Sequence, residues 1–408
     1  MENVKQMLLW VGIAVMIGVL SGISAAVFLL LLDWVTDIRE ANNYLVLFLP
    51  FAGLVIGALY FFYGKEVGAG NNLIIEEIDK PSKAISWKMA PFVLLGTLIT
   101  HLYGGSAGRE GTAVQMSASI ADQFQRWFKL ADFDRKLLLR LGVSGGFAAV
   151  FGTPLAAAVF AIELIFKERL PILHISFIFL SAFVADYTVS SLGVHHTHYA
   201  ISLFPDWEIA TVFWIVVVGL FAGLAALFFI KFHHFFSTFA NRFIAYPPFR
   251  PFIGGAILAL LFTLFPLQQF QGLGVPIIQS AFSESLPYTT FFIKILLTAF
   301  TIGVGFKGGE VTPLFFIGAT LGNALLWFVP LPLSLLAGVG FVAVFCGATN
   351  TLIASTIMGA ELFGIQSVGY IFIANVVAYF FSGTQSIYSS QPLPFLKSLV
   401  YQKLRIKH

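Results

Sequence analysis

Apolar residues run through this chain in long blocks, not in the short alternations of a soluble core. Blocks over 7–33, 44–63, 87–103, 171–190, 209–232, 252–266, 289–306, 314–329, 333–346 and 366–382 carry few charges. Several approach the roughly 20 residues a helix needs to cross a bilayer, and others fall short of it. In lipid each backbone polar group must be satisfied within its own segment, so these blocks are expected to be helices. Their unequal lengths predict tilted, broken and re-entrant helices in one all-α, polytopic membrane domain. The first block exceeds the apolar core of a signal peptide and lacks a clear small-residue cleavage site, so it is expected to remain as a helix.

Composition agrees. Of 408 residues, 58% are hydrophobic and only 11% charged, with a mean hydropathy of +0.89. Soluble domains carry about 25% charged residues. The net charge of +3 is small and scattered, which gives no nucleic-acid signature. Cys346 is the single cysteine, which excludes an internal disulfide and a cysteine metal cluster. Basic residues gather in the tail (Lys397, Lys403, Arg405, Lys407) and in an expected loop over 126–140 (Arg126, Lys129, Arg135, Lys136, Arg140). The tail is expected on the cytoplasmic side by the positive-inside rule. The 126–140 stretch also holds Asp132 and Asp134 and does not orient itself by charge. With little chain after the last apolar block, no appended soluble regulatory domain is expected.

Two glycine-rich breaks interrupt the blocks. One reads Gly104-Gly105-Ser106-Ala107-Gly108-Arg109-Glu110-Gly111-Thr112, and the other Gly305-Phe306-Lys307-Gly308-Gly309-Glu310-Val311-Thr312-Pro313. Charges and broken backbone at membrane depth are tolerated only where protein buries them or a cavity adjoins them. Other segments repeat in the same order, about 200 residues apart. Gly68-Ala69-Gly70-Asn71-Asn72 aligns with Gly272-Leu273-Gly274-Val275-Pro276, Ser117–Ala121 with Gly318–Gly322, Gly146-Phe147 with Gly340-Phe341, and Glu163-Leu164 with Glu361-Leu362. The chain thus divides into two repeat halves, 1–205 and 206–408, which together make one transmembrane domain.

A glycine turn followed by an apolar helix leaves unpaired N–H groups at the helix start, where the macrodipole also favours negative charge. Such starts are expected at Gly70–Asn72, at Gly111–Thr112 and at Val311–Thr312. Convergent starts would cradle an anion without a full positive charge. Glu110 stands at one of them. Ionised, its carboxylate can occupy the anion's place, and protonated it can leave, which would couple proton binding to anion passage. The simpler reading of Glu110 is a capping acid. Glu310 could instead pair with Lys307 or Arg109, Asn71, Asn72, Thr112 and Thr312 could only cap helices, and Tyr388 could be an interfacial aromatic.

Other features have plain readings. Glu163 and Glu361 end corresponding apolar helices and read as structural or dimer-edge acids. Asp186 is given no role. His195-His196-Thr197-His198 lies in a polar loop without carboxylate or cysteine company, so no metal is expected there. Gly142-Val143-Ser144-Gly145-Gly146 fits the short motif of serine hydrolases, with His174 or His101 as base. Its counterpart near 338–340 has no serine and no strand–turn–helix context surrounds it. An intramembrane serine protease is therefore the remote alternative, and the chain reads as a transporter, not an enzyme, with no cofactor.

In their order and spacing these motifs resemble the CLC anion channels and transporters. The resemblance rests on Gly-Arg-Glu-Gly at 108–111, on the Gly-x-Gly at 68–70, and on Gly308-Gly309 followed by Pro313. It also rests on the Phe147–Glu163 stretch and Ser386-Ile387-Tyr388, and it extends from about residue 10 to 401. It implies a CLC-type inverted-repeat fold, a homodimer and one ion pathway per subunit, with Glu110 as the gating and proton-coupling glutamate and Tyr388 as the inner pore tyrosine. Departures narrow it further. Ala69 stands where chloride-type members carry serine, Thr112 where they carry proline, Glu310 and Val311 where they carry an apolar residue and phenylalanine, and Leu164 where proton exchangers carry an inner glutamate. Gly-Gly-Glu-Val-Thr-Pro is similar to the fluoride-exporting branch. The implied activity is fluoride/proton antiport in a microbial inner or plasma membrane, with Glu110 and Glu310 carrying protons. The implied anion site is Ala69, Gly70, Asn71, Asn72, Gly111, Thr112, Val311, Thr312 and Tyr388. A small, strongly hydrated ion needs several aimed donors in place of its water, and these residues supply them. A chloride channel or chloride/proton exchanger of the same fold is the alternative.

Overall fold

The computed structural model describes residues 2–128, 130–165 and 170–405, which form seventeen α-helices and no strand. The first eight are α1 (Glu2–Ala41), α2 (Leu49–Phe62), α3 (Asn71–Asp79), α4 (Met89–Leu102), α5 (Glu110–Phe128), α6 (Asp132–Phe151), α7 (Pro154–Glu163) and α8 (Ile172–Ser191). The next eight follow the same order: α9 (Ile209–Phe243), α10 (Phe249–Leu264), α11 (Val275–Ser280), α12 (Thr290–Gly303), α13 (Val311–Leu325), α14 (Leu333–Thr349), α15 (Leu352–Phe363) and α16 (Val368–Phe381). A last helix, α17, spans Phe395–Arg405. Among the described residues four helical segments are long and apolar enough to cross a membrane, the first and ninth helices among them. Eight more apolar helices span only 10–17 residues, as the uneven blocks predicted.

Packing repeats as the order does. Helix α1 lies on α8 and α9 on α16, α5 on α6 and α13 on α14, while α2·α10 and α7·α15 join the halves. Small residues permit the closest approaches. A methyl group on Gly22 of α1 would stand 2.7 Å from the Ala185 carbonyl oxygen, and one on Gly219 of α9 would stand 2.6 Å from that of Ala374. In lipid, where burial of apolar surface gives helices little reason to associate, such close contact is a main source of attraction. Helices α5, α6, α13 and α14 form the interior, and α14 is buried from Ser334 to Thr349.

One reading is corrected, and one basic residue of the tail proves to be buried. The 126–140 stretch is not a loop: α5 continues to Phe128 and α6 begins at Asp132. Arg135 is buried there. Its Nε donates to Asp122 Oδ1 (2.6 Å) and its Nη1 to Glu77 Oε2 (2.7 Å), which ties α3, α5 and α6 together. Internal pairing of the guanidinium makes a buried helix possible where charge counting reads a loop. In the tail, Lys397 is fully buried in α17, donates to Asn350 Oδ1 and to Ser382 Oγ (3.0 Å), and stands over the Tyr379 ring, so it is no surface charge. Lys129 and Lys407 lie outside the described residues.

Candidate functional site

The two glycine-rich breaks meet each other. Gly108 N donates to the Gly309 carbonyl (2.6 Å) and Gly309 N to the Gly108 carbonyl (2.7 Å), an isolated antiparallel bridge between the halves. Only glycine fits. A methyl group on Gly108 would stand 2.8 Å from the Gly309 oxygen, and one on Gly309 would stand 2.8 Å from Gly111 N. The bridge sets the first turns of α5 and α13 side by side.

Glu110, the first residue of α5 and 1% exposed, reaches across to the other half. Thr312 N donates to its Oε2 (2.9 Å), the Thr312 hydroxyl donates to its Oε1, and Arg109 N donates to Oε2 (3.2 Å). Arg109 Nε stands 3.6 Å from Oε1. The carboxylate therefore sits where the N–H groups and dipole of α13 favour an anion. A small cavity adjoins it, lined by Asn71, Glu110, Gly111 and Tyr388 and by apolar side chains that include Val311, Phe147, Phe160 and Leu164.

Glu310 is beside this group but not docked like Glu110. Its Oε2 is buried without a hydrogen-bond partner. A methyl group on Gly111 would stand 2.9 Å from Asn71 Nδ2 and 3.7 Å from that Oε2, so the asparagine amide and the second carboxylate flank one glycine. Asn71 Oδ1 is likewise buried and unpartnered. The alternative pair with Lys307 does not form. That ammonium lies over the Tyr60 ring at 4.1 Å and donates to the Gly68 carbonyl (3.3 Å). Arg109 is engaged with Glu110 instead.

Of the residues expected at an anion site, Asn71, Gly111, Val311 and Tyr388 line the cavity and Thr312 holds Glu110. Four others stand back. The Thr112 hydroxyl pairs with that of Thr97 at 2.6 Å. Asn72 Oδ1 accepts from Ser390 N (3.1 Å), which fastens α3 to the loop after Tyr388. The Ala69 carbonyl accepts from Asn72 N (3.2 Å), and Gly70 takes a positive φ of 57° against the Gln115 amide. Tyr388 is buried, not interfacial. Gln115 was missed, although it follows Gly111 by one helical turn and so shares its face.

The remaining candidates are placed plainly. Glu163 accepts from Ile353 N (3.0 Å) and Ala354 N (2.7 Å) at the start of α15, and Glu361 accepts from Leu155 N (2.9 Å) and Ala156 N (2.8 Å) at the start of α7. Each acid caps its counterpart helix in the other half, a structural role. Ser144 is fully buried, and its hydroxyl bonds to the Leu141 and Ile178 carbonyls. His196 Nε2 stands 3.6 Å from Asp186 Oδ1, and among the described residues no three His, Cys, Asp or Glu side chains gather as a metal site would require.

Comparison with known proteins meets this geometry. The sequence profile described as voltage gated chloride channel matches residues 52–383. A chloride/fluoride channel protein of Pseudomonas syringae pv. tomato is 42% identical over 388 residues, covering 94% of this chain and 86% of that protein. A solved CLC-type fluoride/proton antiporter superposes with a TM-score of 0.91 at 35% identity, covering 95% of this chain and 98% of that one. A slow cyanobacterial chloride/proton antiporter shares the fold, with a TM-score of 0.81 at 19% identity over 97% of this chain and 98% of that one.

Proposed function

Because this chain belongs to the voltage-gated chloride channel family and has its CLC-type inverted-repeat membrane fold, we propose that it exchanges fluoride for protons and exports fluoride. The observation that carries this is the Glu110 carboxylate bound at the start of α13, in the place of an anion. Ionised, Glu110 closes the pathway. Protonated, its hydroxyl-bearing oxygen no longer accepts as a carboxylate oxygen does, and the side chain yields the N–H groups to a passing ion. One proton then accompanies the opening, which couples the two flows.

Fluoride is favoured by the names of two relatives, a chloride/fluoride channel protein and a fluoride/proton antiporter. It is favoured also by this chain's own residues. Glu310 and Asn71 place a second carboxylate and an amide beside Gly111, and Val311 leaves the cavity less filled than phenylalanine would. Protonated Glu310 would donate to a small anion, so it serves as the second proton carrier, and the buried Tyr388 lines the same cavity as Glu110. Asn71, Gly111, Val311 and Thr312 make up the anion path, with Ala69, Gly70, Asn72 and Thr112 as its supporting shell.

The same reading takes residues 1–205 and 206–408 as the two repeats, a homodimer with one pathway per subunit as the working unit, and a microbial inner or plasma membrane as the location. It requires no cofactor and no enzymatic step, and the hydrogen bonds of Ser144 to main-chain carbonyls suit a packing role. The test is anion efflux from proteoliposomes loaded with fluoride or with chloride while external pH is recorded. Fluoride efflux far above chloride, with stoichiometric proton uptake, supports antiport. Fast chloride efflux without proton movement would mean a passive channel.

A further inference from the structure

One edge of the hydrocarbon can be placed on α9. The stretch 209–230 carries no charge and, at 1.5 Å per residue, covers roughly 33 Å, close to the thickness of a bilayer's hydrocarbon core. Lys231 is the first charge after it, is exposed, and so stands at that edge. Beyond it α9 mixes His233, His234 and Arg242 with exposed phenylalanines.

Lys231 lines an open hollow of about 660 Å³ between α9, the 383–385 segment and α17. Thr384, Gln385 and Ser398 bring further donors to it, and Leu227 and Leu393 bring apolar surface. No acidic side chain lines it, and Lys231 pairs with no carboxylate among the described residues. The α17 wall is held firmly. The Tyr401 hydroxyl donates to the Phe380 carbonyl (2.7 Å), and the buried Lys397 donates to Asn350 and Ser382, which fastens α17 to the end of α16. The hollow is therefore preformed and carries a free cation.

Helix α17 has two unlike faces. Phe395, Leu396, Leu399 and Val400 are exposed and share one face, and the exposed Lys403 continues that face a turn later. Lys397 and Tyr401 lie on the opposite face, which packs on the protein. An exposed apolar stripe that ends in a cation suits a helix lying among lipid head groups. We propose that the hollow binds one anionic phospholipid, with its phosphate on Lys231, Ser398 and Thr384 and its acyl chains leaving over Leu393 along α17. A phosphate diester accepts from all three donors and neutralises the lysine. A zwitterionic head group would bring an ammonium of its own, for which the hollow holds no acid. None of the residues that line this hollow lines the cavity at Glu110, so the site is separate from the ion pathway.

The test is native mass spectrometry of the full-length protein in detergent, titrated with phosphatidylglycerol or with phosphatidylcholine of the same acyl chains. One phosphatidylglycerol per chain should be held about fivefold more tightly than phosphatidylcholine, the size of one lysine's attraction to an anionic head group. Lys231→Gln should remove that preference, and Lys231→Arg should keep it. Ser398→Phe fills the hollow from α17 and should remove the preference with Lys231 still in place. Equal affinity for the two lipids in the wild-type protein would overturn the assignment, as would a preference that survives both Lys231→Gln and Ser398→Phe. Displacement of bound phosphatidylglycerol by an equal concentration of glycerol 3-phosphate would give the hollow to a soluble phosphate and overturn it too. This inference does not rest on the antiport reading, because no ion moves in the assay and its outcome stands whether or not the protein exchanges protons.

Discussion

Thr312→Val isolates the hold on the gate. Valine keeps nearly the shape of threonine and leaves the backbone N–H at 2.9 Å from Glu110 Oε2, so only the hydroxyl bond to Oε1 is lost. A hydrogen bond to a charged acceptor contributes about 1.5–3 kcal/mol net. At about 1.4 kcal/mol per tenfold, the ionised carboxylate should be held roughly 10- to 140-fold more weakly. The Arg109 N–H at 3.2 Å and its Nε at 3.6 Å remain, so the gate should loosen and not vanish. In proteoliposomes fluoride turnover should rise and the proton-to-fluoride ratio should fall, because ions pass in cycles where Glu110 is not seated. Thr312→Ser, which restores the hydroxyl, should return both values toward wild type. A Thr312→Val protein with unchanged melting, turnover and proton ratio would refute the argument that this contact closes the pathway.

Glu110→Gln carries no titrating proton and should move fluoride without proton stoichiometry, and proton-driven uphill fluoride transport by this variant would remove Glu110 from the mechanism. Val311→Phe with Ala69→Ser should shift the fluoride/chloride flux ratio toward chloride, because one change fills the cavity and the other adds a hydroxyl to the supporting loop. Glu163→Ala and Glu361→Ala each strip two N–H groups at a helix start. Each should lower stability by about 0.5–2 kcal/mol, read from thermal unfolding in detergent, with similar values for the pair. Arg135→Met leaves Glu77 and Asp122 buried without their cation and should cost about 3–5 kcal/mol, seen as a collapse in the yield of folded protein.

Much of the site was visible before folding because it is written locally. A glycine run, a carboxylate and an apolar helix in succession announce a helix start at membrane depth, and Glu110 does begin α5. The repeat was visible for the same reason, since the order of glycines and acids recurs in both halves. The repeat also misled. It treats Thr112 and Thr312 as equivalents and Glu110 and Glu310 likewise. In the fold Thr312 holds Glu110 while Thr112 turns to Thr97, and Glu310 keeps an unpartnered oxygen. Where the two breaks meet, Glu110 occupies the shared place and Glu310 does not.

By itself, the sequence determined residence in a bilayer, the helices with their breaks, and the residue types gathered at those breaks. Each follows from composition or from neighbours within a turn or two, where backbone hydrogen bonding and the absence of water leave few choices. Tertiary structure alone decided which partner each polar group has. Asn71 faces the cavity while Asn72 fastens Ser390, Arg135 gathers Glu77 and Asp122, Lys397 is buried, and the acids that end α7 and α15 cap each other's helix starts. Those contacts join residues far apart in the chain, and they depend on how two halves meet face to face, for which local periodicity carries no information.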